Sequence, residues 1–102
     1  MKRPKYSVRL LQAAEDDFNE IILYVAPDNP AAAEKLANQI EKNLSLLSTH
    51  PLLGALPHEE ELSAMGYRFL VVQNYLIFYT IENHIIMMHR ILHGARDYLS
   101  LL

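Results

Sequence analysis

The sequence predicts an α+β fold: an N-terminal strand, an antiparallel helical hairpin, then a three-stranded antiparallel meander with a short C-terminal helical turn. Three observations predict it. Hydrophobic residues alternate with period two over Lys5 to Leu11, take a three-to-four spacing as far as Leu47, and return as Tyr-, Ile-, Val- and Phe-rich runs after Tyr67. Pro27 and the triplet Asp28-Asn29-Pro30 cut the helical stretch in two. Two-residue polar gaps, Gln73-Asn74 and Asn83-His84, divide the C-terminal third into three strands.

In the first strand Tyr6, Val8 and Leu10 alternate with Ser7 and Arg9. The first helix places Leu11, Ala14, Phe18, Ile21, Ile22 and Val25 on one stripe, with Glu15, Asp16, Asp17 and Glu20 off it, towards the N-terminal end that favours acids. Pro27 ends it and disfavours helical geometry at Ala26. Asn29 then serves as N-cap and Pro30 as first residue of a second helix, with Ala33, Leu36, Ala37, Ile40, Leu44 and Leu47 on its apolar face. So short a connection makes the two helices pack antiparallel. Thr49-His50-Pro51 ends the second helix; Gly54, Pro57 and the solvated run Glu59-Glu60-Glu61 form the loop before the sheet.

The strands Tyr67 to Val72, Tyr75 to Glu82 and Ile85 to Leu92 read apolar on both faces. In the middle strand Tyr75, Ile77, Tyr79 and Ile81 oppose Leu76, Phe78, Thr80 and Glu82; in the last, Ile86, Met88, Arg90 and Leu92 oppose Ile85, Met87, His89, Ile91 and His93. A helical hairpin covers one face only. The other is expected to meet a protein partner, with the C-terminal tail and a second copy, hence a homodimer, as the alternatives.

A chain of 102 residues makes one domain spanning 1–102, burying roughly 60–70 % of the surface its unfolded form exposes. It has no cysteine, which excludes disulfides and thiolate metal sites, and no apolar run long enough for a membrane span. Its basic start runs into Glu15-Asp16-Asp17 where a signal peptide would be apolar, so a cytoplasmic location is expected. The net charge of −3 argues against phosphate-driven nucleic-acid binding. Residues 1–10 carry four basic and no acidic groups, residues 11–64 two basic and ten acidic, and residues 65–102 three basic and two acidic. Paired as neighbouring strands, the two ends would form one cationic region on an acidic molecule.

Arg68, Arg90 and Arg96 are the basic residues after Lys42 and fall on or just beyond the sheet. Guanidinium groups bind phosphate bidentately, so a cluster could hold a nucleic-acid backbone or an oxyanion; equally, Arg96 could pair with Asp97 or Glu82 and the others solvate an edge. His89 and His93 are four apart, which on a strand means roughly 13 Å, too far to share a metal ion. His93 is either a general acid or base, its ordinary pKa lying near neutrality, or a hydrogen-bonded residue ending the last strand. Tyr98 could stack on a base, donate a proton or cover a core edge. No phosphate-binding glycine loop, nucleophile elbow or metal motif is present, and no cofactor is expected.

Read in order, Ala14 to Asp17, Ile21 with Tyr24-Val25, Asp28-Asn29-Pro30 with Ala32-Ala33, then Leu47, Pro51 and Gly54 form one series. With Asn74 to Tyr79 and Arg90-Ile91-Leu92-His93-Gly94-Ala95-Arg96-Asp97, the series resembles the RelE/ParE superfamily of bacterial type II toxin–antitoxin toxins. The resemblance implies a compact toxin neutralised by an antitoxin that wraps it. RelE-like members cut messenger RNA on the ribosome with cationic residues and a C-terminal tyrosine or histidine; ParE-like members poison DNA gyrase. Nuclease members often carry arginine where this chain has Leu76, and lysines in the loop ahead of the sheet, where residues 49–66 have none. Losing such cations should cost several kcal/mol of barrier, and the His-Gly-Ala-Arg-Asp ending is more ParE-like. Gyrase inhibition is therefore ranked first, ribosome-dependent cleavage second and a degenerate, non-toxic binding module third. For a nuclease, Arg68, Arg90, His93, Arg96 and Tyr98 are the catalytic candidates; for antitoxin or target binding, Leu76, Phe78, Met88, Arg90 and Arg96.

Overall fold

A computed structural model of the chain describes residues 5–102. Lys2 and Arg3, part of the expected cationic region, lie outside them. The elements are β1 (Ser7–Leu10), α1 (Gln12–Val25), α2 (Pro30–Leu47), α3 (Glu60–Ala64), β2 (Arg68–Val72), β3 (Tyr75–Glu82), β4 (Ile85–His93) and a terminal 3-10 turn, Tyr98–Leu101. They form one sheet in the order β1-β4-β3-β2, with β2, β3 and β4 antiparallel and β1 parallel to β4.

The hairpin connections follow the polar gaps. Asn83 and His84 both take positive φ (48° and 66°), as a two-residue turn matching the twist of the strands requires, and Gln73 does so at 53°. The Asn29 side chain accepts the N–H of Ala32 (3.0 Å), with Pro30 opening α2 as predicted. Ala26 differs from the expectation: it keeps helical angles (φ −59°, ψ −40°) and donates to Ile22. α1 ends there because Pro27 has no N–H with which to continue the ladder.

On one sheet face α1 and α2 bury the main core, built from Ala14, Leu36, Ile40 and Leu47 against Leu70, Val72, Ile77, Tyr79, Ile86, Met88 and Ile91. Ile91 sits there through a β-bulge. Phe78 faces Arg90 and Tyr79 faces Met88, so His89 is an extra residue on β4. Strict alternation would put Ile91 opposite Met88; the bulge returns Ile91 to the helix side and turns Leu92 to the other.

That other face is not left open as expected. Leu62 of α3, Tyr67, Phe78 and Leu92 form a second buried cluster, with Phe69, Leu76, Tyr98, Leu101 and Leu102 packed against it. The run predicted as a solvated loop starts a short helix whose first turn carries Glu60 and Glu61, where the backbone N–H groups favour acids, and whose Leu62 reaches the sheet. The C-terminal turn supplies the rest of the cover. Among the described residues no helix is long and apolar enough to cross a membrane.

Candidate functional site

β1 ends at Leu10, opposite Met88, whereas β4 runs on to His93. The β4 edge beyond Met88 therefore lacks a strand neighbour on that side, and α1 lies against it. Asp17 fills the gap. Its carboxylate accepts the backbone N–H of Ile91 (3.0 Å) and a two-pronged contact from Arg90, Nε at 2.7 Å and Nη2 at 2.9 Å. Asp17 is 7 % exposed, and among the described residues this is the only ion pair. The hydrogen bond that Arg90 donates to Asp17 raises its pKa, against the opposing effect of burial. Arg90 also donates through Nη1 to the Leu101 carbonyl (3.3 Å), tying the C-terminal turn to the sheet.

On the far side of β3, Arg68 donates to the Gly54 carbonyl (2.8 Å). The Tyr79 hydroxyl accepts the Gly54 N–H (2.9 Å) and donates to the Pro51 carbonyl (2.8 Å). Burial raises the Tyr79 pKa, against the Gly54 bond and the Arg68 charge. Tyr98 stacks at a tilt on Phe78, centroids 5.0 Å apart, and donates to both Glu59 carboxylate oxygens (2.7 and 3.0 Å). That acceptor, then burial, raises its pKa, so the phenol keeps its proton. His93 sits edge-on to Tyr75 and accepts the Ala95 N–H at Nδ1 (3.2 Å), bracing the turn that follows β4.

The nuclease candidates are brought together only in part: Arg90 pairs across the sheet with Phe78, on which Tyr98 stacks, and bonds Leu101 in the Tyr98 turn, while His93 and Arg96 sit exposed at and beyond the end of β4. Arg68 and Arg90 lie on strands separated by β3, Arg96 is exposed in the turn beyond β4, and Tyr98 faces a carboxylate. Of the binding candidates, Phe78 (1 % exposed) lies in the second cluster and Met88 (0 %) in the main core; Leu76 is half-buried on the second face. Arg90 and Arg96 retain contact with solvent. Among the described residues no group of three His, Asp or Glu side chains is placed to hold a metal ion.

Asp17, Glu59 and His89 hold these contacts, and the sequence reading gave none of them a role. Asp17 was expected off the α1 stripe, but the structure buries it there with Ala14; the signal was its spacing, three residues after Ala14 and four before Ile21, where an acid requires a buried partner. His89 hydrogen-bonds Thr80 Oγ1 through Nε2 (2.9 Å) and meets the Tyr67 hydroxyl at Nδ1 (3.4 Å). Burial lowers its pKa below 6.5, against the pull of Glu82. The unfolded chain then binds a proton that the folded chain resists, so this contribution to stability is complete above pH 6.5 and declines as pH falls below it. The Tm advantage of the wild type over His89→Gln should therefore shrink from about pH 7.5 to about pH 5; a constant difference would show that the imidazole does not titrate against folding.

A known family resembles the chain in sequence, and solved structures resemble it in fold. The sequence profile of the family described as "ParE toxin of type II toxin-antitoxin system, parDE" matches residues 8–98. No curated protein matches in sequence. Among solved structures, a chain of the chromosomal ParDE toxin–antitoxin system from P. aeruginosa superposes with a TM-score of 0.71 at 19 % identity, covering 89 % of this chain and 98 % of that one. A chain of the toxin–antitoxin complex RelBE2 from Mycobacterium tuberculosis gives 0.64 at 24 % identity, over 93 % and 98 %.

Proposed function

Because the chain belongs to the ParE toxin family of type II toxin–antitoxin systems, we propose that it arrests growth in the cytoplasm by binding DNA gyrase, and that a cognate antitoxin holds it inactive. The observation that carries this reading is the engagement of the cationic and phenolic groups. Cleaving an RNA backbone requires cations free to meet the phosphate and a group free to move a proton. Here Asp17 holds the Arg90 fork, the Gly54 carbonyl takes one Arg68 donor, and Glu59 fixes the Tyr98 proton. Among the described residues neither Arg96 nor the exposed Arg9 makes a side-chain hydrogen bond or ion pair, and two such guanidinium groups on a chain of net charge −3 are a poor cradle for a polyanion. A protein target needs no such cradle.

Purified toxin added to gyrase and relaxed plasmid is expected to abolish supercoiling, while messenger RNA on programmed ribosomes stays intact. Intact supercoiling at excess toxin together with ribosome-dependent cleavage would move the assignment to the nuclease branch. Unchanged growth on induction without the antitoxin would instead identify a non-toxic binding module.

A further inference from the structure

The longest run of the chain without Asp, Glu, Lys or Arg is residues 43–58, the end of α2 and the loop that leads to α3. Much of it faces water. Leu46, Leu52, Leu53 and Leu56 are exposed, as is Val71 on the edge strand β2. Leu46 and Val71 line one open depression and Leu52 and Leu53 another, each of about 380 Å³.

The loop holds this shape by itself. Tyr79 and Arg68 draw Pro51 and Gly54 against the sheet, and Ala55 exchanges two backbone bonds with Phe69 (2.9 and 3.0 Å). The main chain is thereby fixed while the leucines stay outside. Ala55 also occupies the β2 edge at Phe69, which leaves contact there to side chains and not to strand pairing. A preformed surface of this kind loses little freedom on binding, and so many apolar side chains left together in water mark a contact surface.

The charge pattern names the occupant. About a twofold axis each side chain meets the same patch of its mate, so a surface carrying one sign repels itself. Residues 11–64 carry ten acidic and two basic groups, and the run 43–58 is the part of them that carries neither. A different protein can answer charge of either sign; a second copy cannot. The rim of the surface is of opposite sign at its two ends: Lys42 is exposed on the α2 side and Glu60 on the α3 side, and among the described residues neither joins an ion pair. A twofold that lays the α2 side of one copy on the α3 side of the other sets Lys42 beside Glu60 twice.

We infer that the toxin pairs with a second copy of itself through this leucine surface. Leu52 and Leu53 of each copy pack at the centre, Lys42 and Glu60 close the rim, and β1, at the far end of the sheet, stays outside the contact. Nothing in this pairing depends on which target the toxin meets.

Sedimentation equilibrium of the purified toxin tests this. The mass should rise from one chain to two as the concentration passes roughly 10 μM, and stop there. Leu52 is 66 % exposed, so Leu52→Glu leaves the core intact; it should weaken the pair about a hundredfold, because each dimer carries the change twice. Leu23→Glu, at an equally open position on α1 (72 % exposed), should leave the pair unchanged. Lys42→Glu should weaken it about tenfold, and adding Glu60→Lys to the same chain should restore most of the loss. If Leu52→Glu does not fold, the Lys42 and Glu60 exchange decides. A single chain at every concentration overturns the pairing, as does an open ladder of larger species, or a dimer that responds to Leu23→Glu and not to Leu52→Glu. No recovery in the double exchange overturns the crossed arrangement. A toxin that stays single while gyrase or the antitoxin slows amide exchange at Leu52 and Leu53 gives the surface to that protein and overturns self-pairing.

Discussion

Replacing Asp17 with alanine is expected to destabilise the protein by about 3–5 kcal/mol, the range for breaking a buried ion pair on one side only. Three donors lose their acceptor at once: Nε and Nη2 of Arg90 and the backbone N–H of Ile91. The guanidinium side chain is 21 % exposed, too little for water to replace the carboxylate fully. In a domain of this size the loss should lower Tm by roughly 15 °C or more. Pairing Asp17→Leu with Arg90→Met should recover part of it, because no uncompensated charge then remains, although Ile91 still lacks its acceptor. A loss below about 1 kcal/mol for Asp17→Ala would place the pair in the class of screened surface contacts.

Gly54→Ala is the second large effect expected, about 2–4 kcal/mol. The added Cβ would stand 2.7 Å from both Cε1 and the hydroxyl of Tyr79 and 2.8 Å from the Phe69 carbonyl. Tyr79 is fully buried and Phe69 lies in a strand, so neither can retreat cheaply. The loop must move instead, weakening the Tyr79 bonds to Gly54 and Pro51 and the Arg68 bond that hold it to the sheet. Gly66 provides the contrast: nothing lies within 4 Å of its added Cβ, but its φ of +88° leaves a backbone penalty, so Gly66→Ala should cost about 1–2 kcal/mol. Urea unfolding of both variants checks the order, and a Gly54→Ala variant no less stable than Gly66→Ala would mean that the loop has room to adjust.

The elements that read clearly from the sequence are those whose cause is local. The helical spacing of α1, the Asn29-Pro30 start of α2 and the two-residue gaps around β3 each depend on neighbours within a few positions, and each forms where expected, except that Asp17 joins the buried stripe of α1. The bulge at His89 does not read, because both faces of β4 mix apolar and polar side chains, Arg90 on one and His89 on the other, so neither marks where the alternation slips. The covering of the second face was missed for a related reason. α3 is a five-residue helix with no stripe long enough to declare itself, and its value lies in one side chain, Leu62, reaching Phe78 and Leu92. At the site, the arginines were legible as chemistry but their partners were not. Glu59 stands 39 positions before Tyr98, and Asp17 73 before Arg90, separations that only the folded topology closes.

The parallel pairing of β1 with β4 has a consequence for the timing of toxicity. The strand translated first finds its ladder in the strand translated last, and the α1 carboxylate waits equally long for its guanidinium. A growing polypeptide on the ribosome can form the helices and the β2–β3 hairpin but cannot complete the sheet until β4 has been made. Chains cut short before that strand thus lack a finished sheet, and the cell meets a competent poison only after it.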